Sequence, residues 1–229
     1  MFYKKIGIVI ADEDEYAPFV NGIKEKHEYN TPFKKSVSFK VGGSEVFAVC
    51  CGIGKVNAAS AAMLFAERGC DAIINFGLSG GLSGVRRGQF ILPERFVEHD
   101  FDLTALGYKP CEKPGQVYIY EADENLIDCF GAACGASRAA VAVCGDRFVN
   151  DRKTRDYLID VFAPSSCDME TAAIASVCHI TGIPFASLRR ISDDASDAAA
   201  DSYDKMNKTE GKTLVEAFTD CLYYICGEV

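Results

Sequence analysis

The sequence predicts an α/β fold built around a largely parallel sheet. Three observations carry that prediction. Short apolar runs rich in Val, Ile and Phe alternate along the chain with longer stretches whose apolar residues recur at helical spacing. Several runs are continuously apolar, as expected of strands buried on both faces between helices. Most of them also end in glycine, serine or acidic residues, and the carboxyl ends of strands in open α/β sheets are where ligand crevices form.

The elements follow in order. Residues 5–11, K-I-G-I-V-I-A, read as a buried strand that runs into four acids, Asp12 to Glu15. A helix is expected to start there, since acids suit its positive end and Pro18 is tolerated in a first turn. Residues 36–41 and 45–51 read as a hairpin turning at Gly42-Gly43. C-G-I-G-K then leads into a helix with Val56, Ala59, Met63 and Ala66 at helical spacing and Gly69 as its stop.

Residues 71–76 read as the next buried strand, opening into a glycine-rich loop, G-L-S-G-G-L, at 77–82. Glycines of this kind let a backbone approach a ligand closely, although a plain tight turn has the same composition. The spacing matches neither G-x-G-x-x-G nor a phosphate-binding loop with its lysine. A strand over 89–98 precedes a long irregular segment over 99–114, a length that inside a compact domain often serves function. A helix over 123–134 and a buried strand over 139–144 come next, the latter ending in G-D-R-F-V-N. Phe148 there is either a stacking platform or a core plug.

Asp168-Met169-Glu170 opens an alanine-rich helix through Ile180, apolar nearly all round and so expected to be buried. Glu170 in its first turn would be held ionised by the helix dipole, or would simply cap the helix. Residues 184–194, P-F-A-S-L-R-R-I-S-D-D, read as a buried strand ending abruptly in charge. Asp193 there is a candidate proton donor, with a surface salt-bridge cluster as the plainer alternative. Residues 205–226 form a last helix with Leu214, Ala217, Phe218, Cys221, Leu222 and Ile225 on its inner face.

Composition narrows the function classes. The 229 residues are 48% hydrophobic and 25% charged, ordinary for a globular protein with a sizeable core. A net charge of −9 argues against nucleic-acid partners, which need a basic face. No signal peptide or membrane span is expected, because the first apolar run is far shorter than the roughly 20 residues a span needs. Eleven cysteines without a C-x-x-C pair, and three scattered histidines, fit neither a disulfide framework nor a zinc site. A reduced, cytoplasmic protein without a metal is expected.

Read together, the strand-end motifs form an ordered set: D-E-D-E, C-G-I-G-K-V, N-F-G-L-S-G-G-L, H-D-F-D-L-T-A-L-G-Y, G-D-R-F-V-N, D-M-E-T-A-A and R-R-I-S-D. In that order the chain resembles the 5′-methylthioadenosine/S-adenosylhomocysteine nucleosidases of the nucleoside phosphorylase superfamily. The resemblance runs from about Lys5 to the C-terminal helix. It implies a single domain over 1–229, three-layered, with a central mixed, largely parallel twisted sheet flanked by helices. It also implies an N-glycosyl hydrolase of 5′-substituted adenosines that needs no cofactor and works as a homodimer.

The same resemblance assigns roles. Glu15 matches the glutamate that activates water, and Asp193 the aspartate that protonates the purine at N7. Glu170 matches the carboxylate that binds the ribose hydroxyls, with Met169 under the sugar. Phe148 matches the ring stacked on adenine and Val149 the backbone that reads its edge. Ile53 and Tyr203 match apolar walls near the ribose and its 5′-substituent, and Leu78 and Ser79 lie in the glycine segment. Arg189 and Ser192 are expected to orient the site. Leu103, Leu106 and Pro114 match a segment that closes the neighbouring subunit's pocket.

The chemistry of these residue types agrees with the assignment. Cleaving an N-glycosidic bond passes through an oxocarbenium-like sugar, and a purine leaves well only when protonated. Asp193 must then hold its proton well above the usual carboxylate pKa of about 3.9, through burial or an acidic neighbour such as Asp194. A phosphorylase would need cations on the nucleophile side; Asp12 to Glu15 make that side acidic, with Arg86, Arg87 and Arg189 the residues able to reverse it. Asp12, Leu78, Arg190 and Asp194 depart from the family pattern and point to altered substrate preference, for instance a futalosine-type nucleoside. A purine or uridine phosphorylase and a silent nucleoside binder are the rival readings.

Overall fold

In a computed structural model, which describes residues 3–228, ten strands join in one mixed sheet. The first strand, β1 (Lys5–Ile10), is followed by α1 (Glu13–Asn21), the two-residue β2 (His27–Glu28), and the hairpin of β3 (Lys35–Val41) and β4 (Ser44–Cys50). Then come α2 (Lys55–Glu67), β5 (Ala72–Gly81), β6 (Phe90–Glu98), a single 3-10 turn (Thr104–Leu106) and β7 (Ile119–Glu121). The chain continues with α3 (Glu124–Cys134), β8 (Ser137–Cys144), α4 (Arg152–Phe162), β9 (Ser166–Asp168) and α5 (Thr171–Thr181). It closes with β10 (Phe185–Asp193) and the long α6 (Ala199–Ile225).

Strands β4, β1, β5 and β10 lie side by side and parallel, so their carboxyl ends share one edge. Strand β10 also pairs antiparallel with β6, and β6 leads through β8 and β9 back to β5. The sheet therefore closes on itself at that end, which satisfies edges that would otherwise stand open. Helices α2 and α5 pack together on one face, and α1, α3 and α6 on the other. On the second face Phe218 of α6 stacks on Phe76 at 4.1 Å between centroids, with Phe19 edge-on to both. Every residue of β10 is buried.

Several expectations are corrected. Gly77 to Gly81 continue β5 rather than forming a loop. The glycines answer crowding: a Cβ on Gly77 would stand 2.5 Å from the Arg189 guanidinium and 3.1 Å from both Glu15 carboxylate oxygens. On Gly80 it would meet Cys167 Sγ at 2.9 Å and Asp193 Oδ1 at 3.2 Å. Helix α2 turns Ala58, Ala61, Ala62 and Phe65 inward, leaving Val56 and Met63 exposed. Pro18 sits in the second turn of α1, not its first. Helix α4 and strands β7 and β9 were not anticipated: α4 buries a single residue, Leu158, and the two strands are three residues each.

Candidate active site

A cavity of about 390 Å³ opens at the shared carboxyl edge of β1, β5 and β10. That is within the usual range for a small-molecule site. Its wall includes Asp12, Glu15, Ile53, Leu78, Ser79, Phe148, Met169, Glu170, Arg189, Ser192, Asp193 and Tyr203. A larger groove of about 630 Å³ lies between α1, β3 and α6. It mixes apolar side chains such as Phe19, Phe39 and Leu222 with exposed charges such as Lys24, Glu25 and Lys40, and lacks the buried, converging ionisable groups that mark the strand-end cavity.

Glu15 reaches the cavity because α1 starts immediately after β1. Asp12 caps that helix, its Oδ1 accepting the Asp14 N–H at 2.9 Å. The third residue of the helix then faces inward beside Tyr16 and Phe19, and Glu15 is 6% exposed. Its Oε1 accepts the Leu78 N–H at 2.8 Å. Burial raises its pKa from 4.5 to about 8; Arg189 and the Leu78 N–H oppose the rise, while Asp12 and Glu170 add to it.

Glu170 stands at the N-cap of α5 without capping it. Asp168 does that instead, accepting the N–H groups of Glu170 and Thr171 at 2.9 and 2.8 Å and the Thr171 hydroxyl at 2.7 Å. Glu170 Oε1 is left to accept the Gly54 N–H at 3.0 Å, at the start of α2. Asp146 accepts the next N–H, that of Lys55, at 2.8 Å. Helix α2 has only Gly54 at its own N-cap, so two carboxylates from elsewhere satisfy its first donors. Burial is the largest influence on Glu170 and pushes its pKa up, against the helix dipole expected to favour its ionised form, with Arg189 and the Gly54 N–H opposing the rise.

Arg189 lies between these two glutamates, 3% exposed. Its Nη1 donates to the Leu78 carbonyl at 3.3 Å and its Nη2 is 3.6 Å from Asp168. Among the described residues Nε and Nη2 have no hydrogen-bond partner, and neither does the Ser79 hydroxyl. Buried donors without partners are rare in folded proteins, and here they belong to residues of the cavity wall.

Asp193 ends β10 just past a bulge after Ile191 and is 4% exposed. Ser192 Oγ donates to its Oδ2 at 2.6 Å, and the Ala195 N–H to its Oδ1 at 2.8 Å. Ala195 holds that position at a φ of 53°, a left-handed conformation that costs a non-glycine residue about 1–2 kcal/mol. Burial is the largest influence on Asp193 and raises its pKa, with Asp194 adding; Ser192, the Ala195 N–H and Arg87 oppose it. The plainer reading of a surface salt bridge does not hold.

The aromatic wall is Phe148, 40% exposed and therefore no core plug, set edge-on to Tyr203 at 5.7 Å. Val149 is buried and lines a small adjoining hollow together with Met169 and Asp193. Tyr203 is not an apolar wall: its hydroxyl donates to Asp12 Oδ2 at 3.0 Å. Leu103, Leu106 and Pro114 lie outside this chain's cavity, with Leu106 and Pro114 on the surface.

Arg190 and Asp194 also stay out of the cavity. Strand alternation turns Arg190 to the far side, over the Phe90 ring at 5.2 Å, and Asp194 accepts from the Ser196 hydroxyl at 2.6 Å. Arg87 donates to the Ser202 carbonyl, and neither it nor Arg86 lines the cavity. Asp168 and Cys167 are wall residues that sequence reading passed over. An Asp just before an apolar helix is an N-cap signal and could have marked Asp168; nothing in the sequence marks Cys167.

All eleven cysteines are free thiols, and no helix among the described residues is long and apolar enough to cross a membrane. Among the described residues no group of three or more His, Cys, Asp or Glu is placed to hold a metal ion.

Comparison with known proteins agrees with this architecture. The model of the phosphorylase superfamily matches residues 5–224. A 5′-methylthioadenosine/S-adenosylhomocysteine nucleosidase of Geobacillus thermodenitrificans (strain NG80-2) is 34% identical over 221 residues, 93% of each chain. Among solved structures, the S-adenosylhomocysteine nucleosidase of Streptococcus pyogenes in complex with 5-methylthiotubericidin has a TM-score of 0.89 at 28% identity. That match covers 97% of this chain and 98% of the other. The 5′-methylthioadenosine/S-adenosylhomocysteine nucleosidase of Neisseria meningitidis in complex with methylthio-immucillin-A has a TM-score of 0.88 at 28% identity, over 99% and 100% of the two chains. With the family model spanning nearly the whole chain and a relative above 30% identity along it, this protein belongs to the phosphorylase superfamily and, within it, to the 5′-methylthioadenosine/S-adenosylhomocysteine nucleosidase family.

Proposed function

We propose that this chain hydrolyses the N-glycosidic bond of 5′-substituted adenosines, among them 5′-methylthioadenosine, S-adenosylhomocysteine and 5′-deoxyadenosine, to adenine and the free ribose derivative. The observation that carries the reading is the placement of three buried carboxylates in one cavity. Glu15 and Glu170 share Arg189, while Asp193 has its own donors.

In this reading adenine lies at the β10 end, on Phe148 and against the Val149 backbone. Asp193, biased toward its protonated form by burial, gives its proton to N7 as the C1′–N9 bond breaks. Glu170 accepts hydrogen bonds from the ribose hydroxyls and, with Glu15, stabilises the positive charge that develops on the sugar. Glu15, once ionised, takes a proton from the water whose oxygen bonds to C1′. Met169 supports the sugar, and Arg189 orders the two glutamates. Arg189 is the one expected cation that does line the cavity, but Glu15, Glu170 and Asp168 surround it. Once Glu15 ionises to act as the base, a phosphate dianion would meet that charge beside Asp168 and Glu170, so the base-ready site favours water over phosphorolysis.

The chain is proposed to act as a cytoplasmic homodimer, with Leu103, Leu106 and Pro114 completing the partner's pocket. Exposed Val56, Leu106, Val117, Ile119 and Ile180 supply apolar surface for such pairing. The test is incubation with a panel of 5′-substituted adenosines, with and without phosphate. Free sugar in phosphate-free buffer supports the reading. A sugar 1-phosphate formed only with phosphate overturns it, and so does binding without turnover.

A further inference from the structure

We infer that Asp12 and Tyr203 form a polar subsite at the 5′ end of the cavity, selecting adenosines whose 5′ position carries a hydrogen-bond donor, an ammonium above all. The inference rests on the proposed orientation of the nucleoside and names the substrate class for it.

The sheet sets the location. Strands β10 and β1 both pair with β5, on its two sides, so Asp193 and Asp12 lie at strand ends two spacings apart. At about 4.8 Å per spacing that is roughly 10 Å. With the purine at Asp193 and the ribose at Glu170, the sugar's 5′ substituent extends toward the β1 end. There the cavity wall is Ala11, Asp12, Ile53 and Tyr203.

The chemistry follows from what Asp12 still lacks. An ionised carboxylate is an acceptor with about four lone-pair sites. Asp12 uses one on each oxygen: Oδ1 takes the Asp14 N–H and Oδ2 the Tyr203 hydroxyl at 3.0 Å. Burial, Glu15 and Asp12 push the Tyr203 phenol pKa up, so the ring remains the donor in that pair. No salt bridge to Asp12 occurs among the described residues. The cavity also holds buried groups without partners, Ser79 Oγ and the Arg189 Nε and Nη2, which mark it as built to receive polar ligand atoms.

A thioether or methyl group against Asp12 would strip water from a carboxylate and offer nothing in return. A hydroxyl or ammonium would fill the remaining acceptor sites. Asp12 is half-buried, and a 5′ substituent packed on it would complete its enclosure; leaving an acceptor so enclosed unmatched costs enough to separate two substrates by tenfold or more.

The test compares kcat/KM for 5′-amino-5′-deoxyadenosine, adenosine, 5′-methylthioadenosine and 5′-deoxyadenosine in wild type and Asp12→Asn. Asparagine keeps the helix cap and an acceptor for Tyr203 but removes the charge. Wild type should favour the amino compound over 5′-methylthioadenosine by at least tenfold, and Asp12→Asn should cut that ratio about tenfold. A wild-type preference for 5′-methylthioadenosine, or a ratio unmoved in a variant with native thermal unfolding, would overturn the inference while leaving the nucleosidase reading intact. Hydrolysis of none of the four would overturn both.

Discussion

Glu15 should make this protein lose stability with rising pH, and replacing it should remove that loss. The carboxyl is buried and its pKa is raised from 4.5 to about 8, chiefly by that burial. Between those values the folded chain keeps a proton that the unfolded chain has released. The stabilisation is thus complete below about 4.5 and lost as pH climbs through 8. At about 1.36 kcal/mol per pKa unit, wild type gives up on the order of 3 kcal/mol between pH 5 and pH 8 through this one group. Glu15→Gln keeps an oxygen for the Leu78 N–H and does not titrate. Urea unfolding of both proteins at pH 5, 6, 7 and 8, at one protein concentration, reads the difference directly. Asp193 and Glu170 are present in both, so the difference curve isolates Glu15. The variant should gain on wild type steadily across the window, by about 1 M urea or more in midpoint. Parallel pH curves, agreeing within about 1 kcal/mol after a constant offset, would refute the argument that burial controls this carboxyl.

The remaining expectations concern turnover. In wild type, kcat/KM should rise toward pH 8 as Glu15 ionises, measured under first-order conditions from pH 6 to 9. Asp193→Asn should lower kcat by roughly 10²–10⁴-fold while calorimetric binding of the nucleoside persists, since it removes the proton and keeps the shape. Unchanged kcat would take Asp193 out of the chemistry. Glu170→Gln should lower kcat/KM for ribonucleosides about 10–100-fold, more than for the matching 2′-deoxynucleosides; equal losses would separate Glu170 from the sugar hydroxyls. Gly80→Ala places a methyl 2.9 Å from Cys167 Sγ and 3.2 Å from Asp193 Oδ1, and should lower kcat about tenfold or more without preventing folding. Wild-type kcat in a variant with native spectra would show that the packing around Asp193 tolerates movement.

Much of the site was legible because it hangs on strand ends. Runs such as 5–11, 71–76 and 184–194 announce buried strands by composition, and the polar residues that follow them fall at one edge once the strands are parallel. Glu15, Glu170 and Asp193 could be named on that ground, helped by the order of the motifs. Less regular features were harder to see. Helix α4 hides one residue, Leu158, so its apolar stripe is too thin to read. The glycines of β5 resembled a loop because the crowding that demands them comes from Glu15, Arg189 and Cys167, none of them nearby in sequence.

By itself, then, the sequence determined the alternation of elements and the family, and it named three carboxylates that share one cavity, since these depend on local pattern and motif order. Only the tertiary structure decided what each charged group faces. It turned Arg189 into the cavity and Arg190 out of it. It gave the cap of α5 to Asp168 so that Glu170 is free to meet Gly54, and it paired Asp12 with Tyr203 across the length of the chain. A strand's period of two states that neighbours diverge, but both arginines are buried, and which of them meets the cavity depends on what packs from either side. The proton affinities of Glu15 and Asp193 follow from that same burial, which no stretch of local sequence contains.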